Sequence, residues 1–154
     1  MIVQGIIIFS AGFHCPAHVP TLRVVEEPLR ALFFNALGER QIFSVGGASS
    51  PTRRHEHQET YLALLHGVKA WWGAERPGES EPERSFPGWT DPCGPLLAGA
   101  AGAAAPPRPA GVAFCVQRAG EVVHFGDEVA HATCNLHPFV LAVGAQGRTV
   151  SSLH

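Results

Sequence analysis

Charge is sparse in this chain, and what there is of it is scattered. Only 16% of the 154 residues are Asp, Glu, Lys or Arg, and 11 basic against 13 acidic side chains leave a formal net charge of −2. No segment gathers enough basic residues to follow a phosphate backbone, so nucleic acid is set aside as a partner. Long apolar runs are absent too: no stretch reaches the 18 residues or so that a membrane-spanning helix needs. The richest apolar cluster, "GIIIFSAGF" at 5–13, lacks the basic residues that precede a secretory signal core and reads as a buried first strand. The four cysteines, Cys15, Cys93, Cys115 and Cys134, form no C-x-x-C pair and fall far below the density of a disulfide scaffold. Compartment stays open between the cytoplasm and the lumen of the secretory pathway.

Histidine, by contrast, is plentiful, with nine residues. A chain of this length folds as one domain with one continuous core, so a single site is expected, and the position of the histidines becomes the question. Strand signals dominate. "VQGIIIF" opens the chain, "QIFSVGG" alternates, and "TYLALLHG" and "VKAWWG" read as a hairpin across a tight His66-Gly67 turn. "VAFCVQ", "EVVHF", "HATCNL" and "FVLAVGA" follow the same pattern further on. One short helix is predicted in "EEPLRALFFNALGER", with Pro28 in its first turn, two glutamates before it and Gly38 at its end. Eight short strands and one helix describe a sandwich or barrel. Between its two halves, residues 76–110 are rich in Pro, Gly, Ala and charge, and read as a long insertion. It either lies loose or docks through Trp89, Leu96 and Leu97.

The segment Arg54-His55-Glu56-His57-Gln58-Glu59 places two histidines two apart. On a strand both project from one face, about 7 Å apart at Cα, so two imidazoles can converge on one ion. Glu56 between them points the other way unless the strand bulges. Far downstream His131 opens the "HATCNL" strand, where a distant strand could close a local pair into a three-ligand site. Each residue alone has a plain structural role open to it, a polar strand edge or a hydrogen-bonded core histidine. Their joint arrangement favours a metal.

At these residues the chain resembles a family. "FSVGGASSPTRRHEHQETYLALLHGVKAWW" is similar to the first half of a JmjC-type cupin, the core of the Fe(II)/2-oxoglutarate oxygenases, with its Gly-rich strand end, His-x-Asp/Glu pair and Gly-x-Lys-x-Trp turn. "RAGEVVHFGDEVAHATCNL" resembles the family's second signature, which ends on the distal histidine and Ala-Thr-x-Asn-Leu. The resemblance runs from about Leu29 to Gly147, excepting the insertion. It implies a mainly β, cupin-like double-stranded β-helix, or jelly-roll barrel, with a core at about 29–75 and 111–147. It also implies Fe(II) held by His55, His57 and His131, with 2-oxoglutarate as co-substrate. Lys69 would then meet the distal carboxylate of 2-oxoglutarate and Thr52 would supply a second hydrogen bond.

The chain departs from the family at His57, which stands where most relatives carry the carboxylate of a two-His, one-carboxylate triad. Three neutral imidazoles leave a 2+ ion uncompensated until an anion binds. Val129-Ala130 and "WGAERPG" also differ from the usual aromatic and Pro-Pro features. The chain begins close to the core, as a reduced form or an incomplete gene product would. Two functions are carried forward: a protein or peptide hydroxylase, and a JmjC-fold interaction module that binds metal without turnover.

Overall fold

Nine strands, not eight, account for the β structure in the computed structural model, which describes residues 5–9, 40–58, 60–75, 85–102, 107–126 and 129–147. The strands are β1 (Gly5–Phe9), β2 (Arg40–Gly46), β3 (Pro51–His55), β4 (Thr60–His66), β5 (Val68–Glu75), β6 (Ala113–Arg118), β7 (Glu121–Phe125), β8 (Val129–Asn135) and β9 (Val140–Gln146). The additional strand is β3, whose "PTRRH" has no alternation of apolar residues to announce it. The helix predicted to end at Gly38 lies outside the described residues.

Two sheets form, in the orders β1-β7-β4-β9-β2 and β3-β8-β5-β6. All pairings are antiparallel except β1 with β7. Short turns join strands of opposite sheets. The His66-Gly67 turn therefore makes no paired hairpin: β4 lies in the five-stranded sheet and β5 in the four-stranded one. Gly67 permits that crossing, with φ +92°, and a Cβ there would stand 2.6 Å from the Phe139 carbonyl oxygen. Repeated crossing between two facing sheets is the jelly-roll, cupin-like arrangement.

The inner faces enclose Leu62, Leu64, Trp71, Val123, Phe125 and Val140. That apolar half of the interior belongs mostly to the five-stranded sheet. The four-stranded sheet contributes differently. Strand β8, "VAHATCN", is buried along its whole length, with polar His131, Thr133 and Asn135 alternating with small Ala130, Ala132 and Cys134. Alternation puts the polar set inside the barrel and the small set outside.

The small outer residues make room for the insertion, which is not loose where it is described. Residues 85–102 form two short helices, α1 (Pro87–Thr90) and α2 (Gly94–Ala100), that cover the outer face of this sheet. Phe86 and Trp89 pack with Trp72 and Ala132, and the Trp72 indole N–H donates to the Pro92 carbonyl at 3.0 Å. Leu96 is partly buried there, whereas Leu97 stays 53% exposed and does not dock as expected. Cys93 and Cys134 form a disulfide from the cover to β8, with Cα atoms 5.2 Å apart. No spacing in the sequence pairs them, because the partners come from an insertion and a strand 41 residues apart. Cys115 is a free, buried thiol.

Candidate metal centre

Strand β3 is an edge strand, and its pairing with β8 is irregular. Thr52 opposes Thr133 and His55 opposes His131, so two residues of β3, Arg53 and Arg54, stand against one of β8, Ala132. This bulge at Arg53-Arg54 keeps both Thr52 and His55 on the inner side. A regular strand would have turned one of them outward. His57 follows just past the end of β3 rather than within it, half-buried, while Glu56 between the two histidines is exposed and ion-paired with Arg54. Glu56 is thereby turned away from the site.

The three imidazoles converge. Ring centroids are 5.3 Å apart for His55 and His57, 4.2 Å for His55 and His131, and 4.6 Å for His57 and His131. One nitrogen from each lies within 4.8 Å of the others. Metal bonds of about 2.1 Å at cis or tetrahedral angles need nitrogens roughly 3.0–3.5 Å apart, a closure within reach of side-chain torsion.

Their outer nitrogens explain the aim. His55 Nδ1 lies 2.8 Å from the Arg53 carbonyl oxygen, His57 Nδ1 2.9 Å from that of Gln58, and His131 Nδ1 2.9 Å from that of Val129. A carbonyl can only accept, so each Nδ1 carries the proton and each Nε2 offers its lone pair inward. Thr60 adds a contact to His57 Nδ1 at 3.0 Å. Phe125 packs on His57 and His131, with centroids 5.4 and 4.4 Å away, and Trp71 lies 6.0 Å from His131. Burial lowers the His131 pKa to about 3 and also lowers that of His57, so both rings are held neutral, as ligands must be.

Deeper in the barrel the register defines a ladder of inner-face residues. His131 is level with Gly73, Thr133 with Trp71, and Asn135 with Lys69. Lys69 is thus four residues below the His131 row, about 13 Å along the strand at Cα. Its side chain is 4% exposed, and the ammonium donates to Ser44 Oγ at 2.9 Å and lies 5.6 Å from the Trp71 ring. Desolvation lowers its pKa to about 8. No carboxylate pairs with it among the described residues. Thr52 occupies the middle row beside Thr133 but is exposed at the edge. Gln117, fully buried, accepts from the Trp71 indole and donates to the Leu62 and Glu121 carbonyls, fixing that wall.

Sequence reasoning therefore named the residues that the fold brings together as a three-histidine cluster, and placed Lys69 inside the same barrel. It missed Ser44, Thr60, Thr133 and Asn135. The alternation of polar and small residues in "HATCN" was the available signal for the last two. Nothing in the sequence marks Ser44, which reaches Lys69 from the opposite sheet.

Human JmjC domain-containing protein 8 is 34% identical over 107 residues, which are 67% of this chain and 37% of that protein. The chain thus spans little more than a third of its curated relative. No family model matches. Two solved structures are similar in shape: the Drosophila melanogaster CENP-C cupin domain has a TM-score of 0.45, 6% identity, and coverage of 70% of this chain and 59% of that one. A dTDP-4-dehydrorhamnose 3,5-epimerase from Elizabethkingia anophelis NUHP1 has a TM-score of 0.44, 10% identity, and coverage of 79% and 57%. The cupin-like fold stands on the strand order described above, and with the three-histidine cluster it fits a metal-binding, JmjC-like protein. No helix among the described residues is long and apolar enough to cross a membrane.

Proposed function

We propose that this protein is a JmjC-like, 2-oxoglutarate-dependent oxygenase that hydroxylates a protein or peptide. His55, His57 and His131 hold Fe(II) through Nε2, and Lys69 anchors the distal carboxylate of 2-oxoglutarate. Thr52, on the rung between them, donates a second hydrogen bond to the co-substrate. The observation that carries the reading is the combination of three converging imidazoles with a buried ammonium, deeper in the same barrel, that has no acidic partner among the described residues. A buried, unpaired cation is costly, and an incoming carboxylate removes that cost.

The chain's own residues bind, orient and exclude water. Phe125 packs on His131 and Trp71 lies near both His131 and Lys69, so a co-substrate reaching from the imidazoles to Lys69 would bind against apolar surface, where charge complementarity is strong. Iron with 2-oxoglutarate, when bound, supplies the oxidative chemistry, and the protein supplies its geometry. With no carboxylate among the three ligands, the co-substrate itself compensates the metal charge.

A second reading is favoured by the same missing carboxylate: a JmjC-fold interaction module that binds metal and has no turnover. Purified protein reconstituted with Fe(II) separates the two when metal content and 2-oxoglutarate-dependent succinate formation are measured together. Succinate from the wild type establishes a working three-histidine site. An inert wild type that gains turnover in His57→Asp establishes the non-catalytic module.

A further inference from the structure

Past the end of β8 that is remote from the three-histidine centre, two more histidines meet. His66 closes β4 just before the Gly67 crossing, and His137 stands in the turn that joins β8 to β9. Far apart in sequence, their rings have centroids 5.1 Å apart and planes at 71°. That spacing is no wider than the 5.3 Å between His55 and His57. Asn135, the last residue of β8, is already about 13 Å from His131 along the strand. Neither ring belongs to the three-histidine group.

One backbone oxygen orients both rings. The Phe139 carbonyl oxygen lies 3.0 Å from His66 Nδ1 and 2.9 Å from His137 Nδ1. A carbonyl only accepts, so each neutral ring carries its proton on Nδ1 and keeps its lone pair on Nε2. The Phe139 N–H also approaches His137 Nδ1, at 3.3 Å, and the shorter carbonyl contact governs the tautomer. The missing Cβ of Gly67, which would stand 2.6 Å from the same oxygen, leaves room for it. The end of β4, Gly67 and the β8–β9 turn thus agree on one carbonyl. The centre is aimed by the same device, each Nδ1 resting on a backbone carbonyl.

One N–H would have satisfied the Phe139 oxygen. The second imidazole adds a second free Nε2 beside the first. Bonds near 2.1 Å to one ion need the two nitrogens roughly 3.0–3.5 Å apart, a closure like that required of His55 and His57. Among the described residues no third His, Cys, Asp or Glu joins the pair. His66 is exposed and His137 half-buried, beside exposed Leu136 and Phe139, so the remaining positions of an ion face solvent.

We infer that His66 and His137 form a second metal site, which takes a transition ion such as Zn(II), Ni(II) or Cu(II) through two Nε2 atoms, with water in the other positions. Imidazole donors without a carboxylate favour these ions over Mg(II) and Ca(II). With two protein ligands in place of three, the site fills after the centre and exchanges its ion faster. It does not depend on what chemistry the centre performs.

The probe is Zn(II) alone, titrated into the metal-free full chain labelled with heavy nitrogen at histidine. Long-range proton–nitrogen NMR follows each ring nitrogen. Zn(II) beyond the first equivalent should shift Nε2 of His66 and His137 together, with both Nδ1 atoms still protonated. His66→Gln and His137→Gln should each weaken this second step by roughly 10–100-fold or more, while the first equivalent still reaches His55, His57 and His131. Thermal melts check that the variants fold, and the wild-type titration decides alone for any that does not. A wild type in which a few equivalents of Zn(II) move neither Nε2, or only one of them, overturns the inference. So does a folded variant that keeps the wild-type second step. Should the three-histidine centre take no Zn(II), His66 and His137 should respond all the same, and the two sites are judged separately.

Discussion

Removing the Cys93–Cys134 bridge tests how far the insertion belongs to the domain. The two cysteines are 41 residues apart in sequence and each is at most 3% exposed. Closing a loop of that length in the unfolded chain is worth about 4 kcal/mol by the chain-entropy relation. The double substitution Cys93→Ala, Cys134→Ala leaves only a small packing defect among Ala70, Leu96 and Phe114, which surround the bridge. For a domain of this size each kcal/mol moves the melting temperature by roughly 2–4 °C, so the loss should be about 8–16 °C. Differential scanning calorimetry of wild type, the double variant and wild type in reductant measures it, with thiol counting in non-reducing denaturant to establish the bridge. Because β8 carries both Cys134 and His131, metal retention in the double variant should fall at temperatures where the cover opens. A melting temperature within about 2 °C of wild type, with the disulfide shown to be present in the latter, would refute the view that the bridge restricts the unfolded chain.

Further outcomes are expected of the site and its surroundings. His131→Ala should lose most of the bound metal, measured by elemental analysis, while Lys69→Met keeps its metal and loses 2-oxoglutarate. Lys69→Met should also stabilise the metal-free protein at neutral pH by about 3 kcal/mol in urea denaturation, because a pKa lowered from 10.5 to about 8 measures the cost of burying the charge. Below pH 8 the ammonium is charged in both states, and between about 8 and 10.5 the unfolded chain binds more protons. Stability therefore rises with pH across that window, and carboxylate affinity falls as pH passes 8. His131 has the complementary signature in acid: neutral when folded down to about pH 3 but protonated in the unfolded chain below 6.5, it makes the metal-free protein lose stability as pH falls from 6.5 toward 3. Trp89→Ala should cost about 3–5 kcal/mol, since the ring is 3% exposed in the cover. Deleting residues 99–109 should change the melting temperature little by comparison.

The strands that alternate apolar and polar residues were legible from sequence, as was the pair of histidines two apart. Strand β3 was not, because it is an exposed edge whose partner, β8, supplies the order: its residues carry no pattern until His131 and Thr133 are placed beside them. The sheet-crossing His66-Gly67 turn was also hidden, since a tight turn specifies a reversal and not which sheet receives the next strand. The cover was obscured by composition. A Pro- and Ala-rich stretch has little to bury, but Phe86 and Trp89 together with one disulfide hold 85–102 against Trp72. Lys69 could be placed by resemblance, while its hydroxyl partner Ser44 comes from the facing sheet and leaves no trace in local spacing.

The burial of His57 and His131, with each Nδ1 turned to a backbone carbonyl, bears on how the site is filled. A ligand that must first shed a proton makes metal uptake a competition with acid, and loading then follows the pH of the surroundings. Here His57 and His131 are already neutral and already turned, so uptake displaces water and little else from them. The exchange should release almost no protons at neutral pH from these two residues. By burying these two rings, the fold makes their readiness to bind metal less dependent on the acidity around them.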